Sequence, residues 1–221
     1  MHVFCDFDGT ITREDATDFI LSRLADPRWE AIEQEWKLGH IGSAECMRRQ
    51  IPLITASKET LDATLDAVEI DADFYDFVRF CEAQSIRVSI LSDGVDYFIR
   101  RILSRIGLQH LPIIANRFTI TETGYELDSP YAIESCASAA GVCKCKVVDK
   151  GREPRMYVGD GQSDFCVSDK PELVFAKGKL ASFCARNATP FVAYEDFSDV
   201  TQALQRLLPG VDTHEPIHAF A

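Results

Sequence analysis

Asp6-Phe7-Asp8-Gly9-Thr10 follows directly after the short apolar run Val3-Phe4-Cys5. Ligands bind in open α/β sheets at the carboxyl ends of the strands, so two carboxylates at such an end predict a functional site. Asp6 and Asp8 can both approach one metal ion there, and its charge would offset their mutual repulsion. The alternative is a surface turn, since Asp-Gly is a common turn dipeptide. The motifs later in the chain decide between these two interpretations.

Composition limits the classes of partner. The chain has 221 residues, 46% of them hydrophobic, and a formal charge of −12, which argues against nucleic-acid and anionic-membrane partners. An anionic substrate can still bind where a metal and a few cations reverse the local field. No apolar run approaches the roughly 20 residues of a membrane span. Met1-His2 leads into the first predicted strand without a secretory signal, so we expect a cytoplasmic protein.

Eight cysteines are many for such a protein. Cys5 and Cys81 fall within apolar patterns and are predicted core residues. Cys136, Cys143 and Cys145 have a C-x₆-C-x-C spacing, which lacks the paired C-x₂-C typical of structural zinc. We expect reduced thiols here, and a metal-binding or redox role for this cluster is the alternative.

Short apolar runs alternate with amphipathic helical stretches, which predicts an α/β fold with a mostly parallel sheet flanked by helices. Alternation places Val3 and Cys5 on one face of the first strand and Phe4 on the other. The predicted strands are His2–Asp6, Arg87–Leu91, Ile113–Asn116, Met156–Gly159 and Leu173–Ala176, with a hairpin over Phe118–Leu127 that turns at Gly124. Helical spacing predicts helices over 74–81, 99–106 and 200–208, ended in the last two cases by Gly107 and Pro209-Gly210, and a loose tail over 212–221.

The interval between the first strand and Phe74 contains helical stripes and no convincing strand. It predicts a helical cap domain over 13–75, inserted into a core domain formed by 1–12 and 76–221. An insertion rooted beside the carboxylate pair would cover the crevice, exclude water and select the substrate. An ordinary helical subdomain without a gating role is the alternative.

Three further motifs follow predicted strands or the hairpin. Ser92-Asp93-Gly94 precedes a predicted helix, where a hydroxyl and free amides would bind an anion or Ser92 would simply cap the helix. Lys144 and Lys146 lie on a predicted helical segment after the hairpin. The run Gly159-Asp160-Gly161-Gln162-Ser163-Asp164 places two more carboxylates after an apolar strand, and a turn with a helix cap explains only one of them.

The chain resembles the haloacid dehalogenase superfamily of phosphatases over essentially its whole length. The resemblance rests on four motifs in this order: Asp-x-Asp, Ser, Lys and a distal Asp pair. The resemblance implies a Rossmann-like three-layer sandwich, and the insertion is similar to the helical cap of the phosphoserine-phosphatase-like subfamily. Cys143-Lys144-x-Lys146-Val147-Val148 and the run 157–166 are similar to phosphoethanolamine/phosphocholine phosphatases. Gly39-x-Ile41, Gln50 and Ser92-x-Gly94-x-Asp96-x-Phe98 are similar to the methionine-salvage phosphatases acting on 2-hydroxy-3-keto-5-methylthiopentenyl-1-phosphate.

The chemistry of a phosphomonoester suggests a role for each residue. A dianion repels an approaching carboxylate, so Mg²⁺ is expected to neutralise charge, held by the side chains of Asp6 and Asp160, the Asp8 carbonyl, and Asp164 directly or through water. Asp6 would be the nucleophile and form an aspartyl-phosphate, and Asp8 the general acid and base. Ser92 and nearby backbone amides, such as that of Gly94, would bind phosphoryl oxygens, and Lys144 would offset charge. Lys144 is preferred to Lys146 because the Cys-Lys-x-x-aliphatic pattern of the family places the lysine there.

The substrate is less well defined. Serine-specific relatives carry Leu-Arg-x-Arg in the cap, and here Arg48 is retained while Gln50, which cannot clamp a carboxylate as arginine does, replaces the second arginine. A slip of one residue would bring Arg49 into that role. Asp93 is predicted to face a cationic substrate, or else to favour a helix N-terminus. Asp15, with Asp18, would face a cation or solvent.

The sequence thus predicts a Mg²⁺-dependent phosphatase of a small phosphorylated metabolite. Phosphoserine hydrolysis and phosphoryl transfer to an acceptor other than water are the alternatives within the class. A catalytically silent binding protein on the same fold is the alternative outside it, although neither Asp6 nor Asp8 is lost. The oligomeric state stays open.

Overall fold

One sheet of seven strands organises the computed structural model, which describes residues 1–149 and 153–208. In chain order the strands are β1 (His2–Cys5), β2 (Arg87–Val95), β3 (Ile113–Thr121), β4 (Gly124–Asp128), β5 (Arg155–Gly159), β6 (Leu173–Ala176) and β7 (Val192–Ala193). Across the sheet the order is β4-β3-β2-β1-β5-β6-β7, so β1 is central. Neighbouring strands are parallel except for the antiparallel pair β3–β4. This confirms the predicted Rossmann-like α/β fold.

Helices cover both faces of the sheet and bury them in two apolar clusters. They are α1 (Ala16–Leu24), α2 (Trp29–Lys37), α3 (Ser43–Gln50), α4 (Lys58–Leu65), α5 (Phe74–Ala83), α6 (Asp96–Ser104), α7 (Lys144–Val148), α8 (Gly178–Arg186) and α9 (Phe197–Leu207), with 3-10 turns at Ile51–Leu53 and Gln162–Val167. Val3 and Cys5 belong to the cluster that includes α5, α6 and α9, and Phe4 to the cluster that includes α7 and α8. The predicted alternation along β1 is therefore confirmed.

β1 and β5 differ from their predicted bounds by one residue, and β2 and β3 differ by more. β2 continues to Val95, its register with β3 shifts between Leu91 and Val95, and α6 begins only at Asp96. The three residues Ser92-Asp93-Gly94 thus lie in the irregular end of a strand, and Val95, not Ser92, precedes the helix. The predicted serine cap is wrong for this reason. β3 runs without a break through the predicted start of the hairpin, whose turn precedes Gly124.

The two ends of the predicted cap segment lie side by side and are joined by backbone pairing. Thr12 pairs with Ile70 in an isolated antiparallel bridge. The Arg13 amide donates to the Glu69 carbonyl (3.1 Å), and α1 to α4 lie between these two ends. The division into 1–12, 13–75 and 76–221 stays a prediction, and the predicted stop at Pro209-Gly210 and the tail over 212–221 lie outside the described residues. Within the described part of the chain, no helix is both long and apolar enough to cross a membrane.

Aromatic packing joins α5 to α9. Phe197 is fully buried, and its ring centroid lies 4.8 Å from that of Phe74 and 5.0 Å from that of Phe77. We expect Phe197→Ala to lower the free energy of unfolding by about 3–5 kcal/mol, because it removes these contacts and leaves a cavity. Urea denaturation measures the loss. Leu207→Ala on the same helix, where the side chain is 55% exposed, is the control, and equal losses in the two variants would contradict the packing argument.

Candidate active site

The predicted catalytic and metal-binding residues meet where the chain leaves the central strands. Asp6 follows β1 and extends its pairing, since its amide donates to the Val158 carbonyl of β5 (2.9 Å). Asp160 follows β5, and Ser92 lies at the end of β2 on the other side of β1. Neighbouring connections diverge at this point of an α/β sheet and leave a crevice. The fold therefore brings together residues from distant parts of the chain.

Lys144 lies at the centre of the site. Its side chain is 1% exposed, and its Nζ is 2.8 Å from Asp6 Oδ1 and 2.7 Å from Asp164 Oδ1. It also donates to Ser163 Oγ (3.1 Å). Burial would lower the pKa of Lys144, but the two carboxylates outweigh it and raise that pKa, so the ammonium stays charged. Lys146 is exposed on the same short helix, so Lys144 is the lysine that the structure places in the site.

Asp164 orients this lysine and closes the turn after β5. Its Oδ2 accepts from the amides of Asp160 and Gly161 (both 3.0 Å), and its Oδ1 accepts from the Tyr157 hydroxyl as well as from Lys144. Burial raises the pKa of Asp164, but Lys144 and these hydrogen bonds outweigh it, so the net shift is downward. Because these four donors already contact Asp164, its contacts suit a role in positioning Lys144 and the turn better than direct binding of a metal ion.

Three carboxylates form a group able to hold a cation. One oxygen from each of Asp6, Asp160 and Asp164 lies within 4.8 Å of the other two. Among the described residues, this is the only group of three or more His, Cys, Asp or Glu side chains placed in this way. Thr10 Oγ1 donates to Asp160 Oδ1 (2.7 Å), and the Phe7 amide to Asp6 Oδ1 (2.8 Å). The second oxygens of Asp6 and Asp160 accept no hydrogen bond from the described residues. Hard oxygen donors of this kind fit Mg²⁺.

Electrostatics also favour a cation at this group. Burial, then the charge of Asp164, raises the pKa of Asp6 well above its usual value, against the opposite effect of Lys144. Burial likewise raises the pKa of Asp160. Carboxylates so placed stay ionised at neutral pH more readily when a cation neutralises them. Gly9 makes room for Asp160: its φ is +73°, and a Cβ there would lie 2.7 Å from Asp160 Oδ2.

Asp8 lies beside the predicted phosphate-binding serine. Its Oδ1 accepts from the Ala16 amide at the start of α1 (2.8 Å), and its Oδ2 accepts from Ser92 Oγ (3.4 Å). Burial, then the charge of Asp15, raises the pKa of Asp8 well above its usual value. A carboxyl that holds its proton near neutral pH is suited to act as a general acid. Gly94 is needed for this approach, because a Cβ there would lie 2.5 Å from Asp8 Oδ2.

The residues predicted to choose the substrate have other partners. Arg48 is exposed and pairs with Glu45 (2.6 Å), and Arg49 pairs with Glu35 (2.7 Å). Gln50 is buried and donates to Glu33 Oε2 (3.0 Å). Both arginines therefore already have carboxylate partners within the protein, and the substrate-binding role of Arg48 stays a prediction.

Two acidic residues of the substrate prediction also form hydrogen bonds within the protein. Asp15 caps α1 by accepting from the Asp18 amide (2.9 Å). Asp93 accepts from the Val142 amide (2.8 Å) and from the Ser43 hydroxyl. Their roles toward a substrate stay predictions.

Four residues of the site were not found from the sequence: Thr10, Tyr157, Ser43 and Asn116. Thr10 is the last residue of the first motif, but no role was predicted for it. Tyr157 lies in an apolar strand, where an aromatic residue is common, yet its hydroxyl bonds Asp164. Ser43 and Asn116 bond Asp93 from a different helix and strand, which a local pattern cannot reveal.

The cysteine cluster lies next to the site without forming a zinc-like group. Cys143 and Cys145 flank Lys144, and their sulfur atoms are 3.6 Å apart. Among the described residues, no third thiol has its sulfur atom within 4.8 Å of both of these sulfur atoms. All eight cysteines are free.

The family model of haloacid dehalogenase-like hydrolases matches residues 3–168, and the chain belongs to this family. It is 28% identical over 211 residues, covering 93% of this chain and 95% of the relative, to a 2-hydroxy-3-keto-5-methylthiopentenyl-1-phosphate phosphatase of Brevibacillus brevis. It is also 29% identical over 222 residues to Pdp3-interacting factor 1 of Schizosaccharomyces pombe, covering 94% of this chain and 96% of that protein.

Solved structures agree in fold. A phospho-aspartyl intermediate analogue of phosphoserine phosphatase has a TM-score of 0.67 at 17% identity, covering 91% of this chain and 97% of that one. A family hydrolase from Salmonella enterica serovar Typhi has a TM-score of 0.71 at 21% identity, covering 95% and 71%. These similarities bear on the fold alone. The family and the named phosphatase relative confirm the predicted enzyme of the phosphatase class.

Proposed function

We propose that the chain is a Mg²⁺-dependent phosphomonoesterase that hydrolyses a small phosphorylated metabolite through an aspartyl-phosphate on Asp6. One observation carries the proposal: Lys144 holds Asp6 Oδ1 at 2.8 Å, while Asp6 Oδ2 accepts no hydrogen bond from the described residues, and one oxygen of Asp6 lies within 4.8 Å of an oxygen of Asp160. An oriented carboxylate with a free oxygen beside a cation site suits in-line attack on phosphorus.

The chemical steps use the neighbouring residues. The free oxygen of Asp6 attacks phosphorus, the ester P–O bond breaks, and the leaving alkoxide takes the proton of Asp8. A water molecule then attacks the aspartyl-phosphate, Asp8 removes its proton, and inorganic phosphate leaves as Asp6 is regenerated. The raised pKa of Asp8 supports its first role, since burial favours the protonated form of this carboxyl.

Charge compensation at the phosphoryl group comes from several sources. Mg²⁺, held by Asp6, Asp160 and the Asp8 carbonyl, with Asp164 reached through water, would neutralise phosphoryl charge. The Ser92 hydroxyl would bind a phosphoryl oxygen and is oriented by the Gly94 amide, which donates to Ser92 Oγ (2.8 Å), and Lys144 would stabilise the charge that develops in the transition state. These assignments rest on the placement of the residues around one crevice.

The Brevibacillus relative supports a substrate similar to 2-hydroxy-3-keto-5-methylthiopentenyl-1-phosphate. Phosphoethanolamine and phosphocholine are the second candidates and would need Asp93 or Asp15 to face a cation. The contacts already made by Asp93 favour the first candidate. The ion pairs of Arg48 and Arg49 speak against a carboxylate clamp for phosphoserine. The cytoplasmic location and the lack of a nucleic-acid partner stay predictions from charge and sequence.

A panel of esters tests the proposal. We expect phosphate release from p-nitrophenyl phosphate and at least one metabolite in the presence of Mg²⁺, and none after EDTA until Mg²⁺ is restored. The panel includes ketose phosphates, phosphoethanolamine, phosphocholine and phosphoserine, and the preferred ester identifies the branch. Equal amounts of alcohol and phosphate indicate hydrolysis, whereas excess alcohol indicates transfer to another acceptor. A folded, Mg²⁺-binding protein that turns over no ester would favour a silent binding protein.

A further inference from the structure

Asp93 is the acidic residue next to the proposed phosphate-binding serine, and protein donors surround it. Its Oδ2 accepts from the hydroxyl of Ser43, its Oδ1 accepts from the amide of Val142 (2.8 Å), and the Asn116 side chain donates to the same Oδ1 (3.4 Å). Hydrogen bonds of neutral donors to a charged carboxylate are stronger than those between neutral groups. Both oxygens are thereby committed within the protein.

The Ser43 contact belongs to a larger docking of α3 on the core. The Ala44 amide donates to the Ala139 carbonyl (3.3 Å). Gly42 approaches the same residue closely, since a Cβ there would lie 2.5 Å from the Cβ and the carbonyl oxygen of Ala139. The first residues of α3 thus meet both the end of β2 and the segment that leads to α7.

The Val142 contact connects Asp93 to the catalytic lysine. Val142 is buried and precedes Lys144 by two residues, with Cys143 between them. The Asn116 side chain holds the same region, because it accepts from Ser129 Oγ (2.7 Å) and Gly141 packs directly against it. Asp93 is therefore the residue common to α3 and to the start of α7.

We propose that Asp93 is a positioning residue that couples the docking of the cap helix α3 to the placement of Lys144. Its carboxylate accepts one hydrogen bond from the Ser43 hydroxyl and another from the Val142 amide. Loss of either hydrogen bond therefore weakens the other. The activity part of this proposal rests on the proposed function, and it gives Asp93 a role that requires no cationic substrate.

Serine variants test the coupling. We expect Ser43→Ala to speed hydrogen–deuterium exchange both at 42–46 and at 140–146, and to lower kcat for p-nitrophenyl phosphate about tenfold. Ser43→Thr keeps the hydroxyl and should restore both readouts. Ser57→Ala is the matched control, because Ser57 caps α4 through the Thr60 amide within the cap and should leave both regions and kcat unchanged.

Asp93→Asn and the double variant complete the experiment. The amide that replaces the carboxylate would keep one acceptor oxygen, and we expect a loss of kcat similar to that of Ser43→Ala, with the double variant less impaired than the product of the two single effects. A rise in KM confined to phosphocholine and phosphoethanolamine, with Ser43→Ala silent, would show that Asp93 binds a cation and would overturn the proposal. Unchanged exchange at 140–146 in both single variants would also overturn it. Exchange is measured without substrate, so this arm stands even if no ester is hydrolysed.

Discussion

Asp6→Asn should abolish Mg²⁺-dependent phosphate release, with a loss of about 10⁴-fold or more in kcat, because the amide oxygen is a poor nucleophile and cannot form the aspartyl-phosphate. The fold should survive the change. The amide oxygen can still accept from the Phe7 amide, which donates to Asp6 in the native protein (2.8 Å), and one of the neighbouring buried carboxylate charges is removed. Single-turnover assays with p-nitrophenyl phosphate measure the effect on the chemical step.

A second aspartate separates nucleophile loss from a general charge effect. Asp76 is exposed on α5 and belongs to none of the site motifs, so Asp76→Asn makes the same change of charge at a residue outside the site. We expect this variant to retain full turnover. Retention of more than about a hundredth of the activity by Asp6→Asn would contradict covalent catalysis at Asp6 and favour direct attack of water.

The parts of the site that follow apolar strands were predictable from the sequence. Asp6 and Asp160 come directly after β1 and β5, and these strands are central and buried on both faces, so their composition is unambiguous. Once both runs are identified as parallel strands, their carboxyl ends must lie at the same edge of the sheet. Proximity of the two carboxylates then follows from topology.

Contacts made across the chain were not predictable in this way. The predicted strand Arg87–Leu91 ended too early, because the continuation to Val95 depends on pairing with Asn116 of β3 and on side-chain bonds around Ser92. The helix α8 has no capping side chain at Lys177 to signal its start. The choice between Lys144 and Lys146 came from a family pattern, and the physical distinction, burial between two carboxylates, exists only in the folded chain.

Lys144→Met should destabilise the protein and remove its activity together. The substitution keeps the length of a buried side chain but leaves Asp6 and Asp164 without their shared cation, and loss of one partner of a buried ion pair costs about 3–5 kcal/mol. Chemical denaturation measures this loss, which we expect at neutral pH in EDTA. Turnover should fall as well, since Nζ no longer orients Asp6 or offsets phosphoryl charge.

The pH dependence of this loss follows from the shifts of both partners. The pKa of Lys144 is raised, so its stabilising effect is complete below the unfolded value of about 10.4 and declines only as pH rises through the folded value. The pKa of Asp164 is lowered, so its effect is complete above about 3.9 and declines as pH falls through the folded value. The pKa of Asp6, the other partner of Lys144, is raised, so Asp6 binds a proton at a higher pH than Asp164 and its pairing with Lys144 is lost first as pH falls. The cost of Lys144→Met should therefore be largest in mildly alkaline solution and shrink in two stages in acid.

Lys146→Met is the matched control, because it removes the same charge from an exposed position of the same helix. We expect it to change the free energy of unfolding by less than about 0.5 kcal/mol and to keep full turnover. If Lys146→Met lost activity while Lys144→Met kept it, the lysine assignment would be reversed. If both variants were as stable as the native protein, the buried pairing of Lys144 with Asp6 and Asp164 would not form in solution, and the orientation of the nucleophile would need another source.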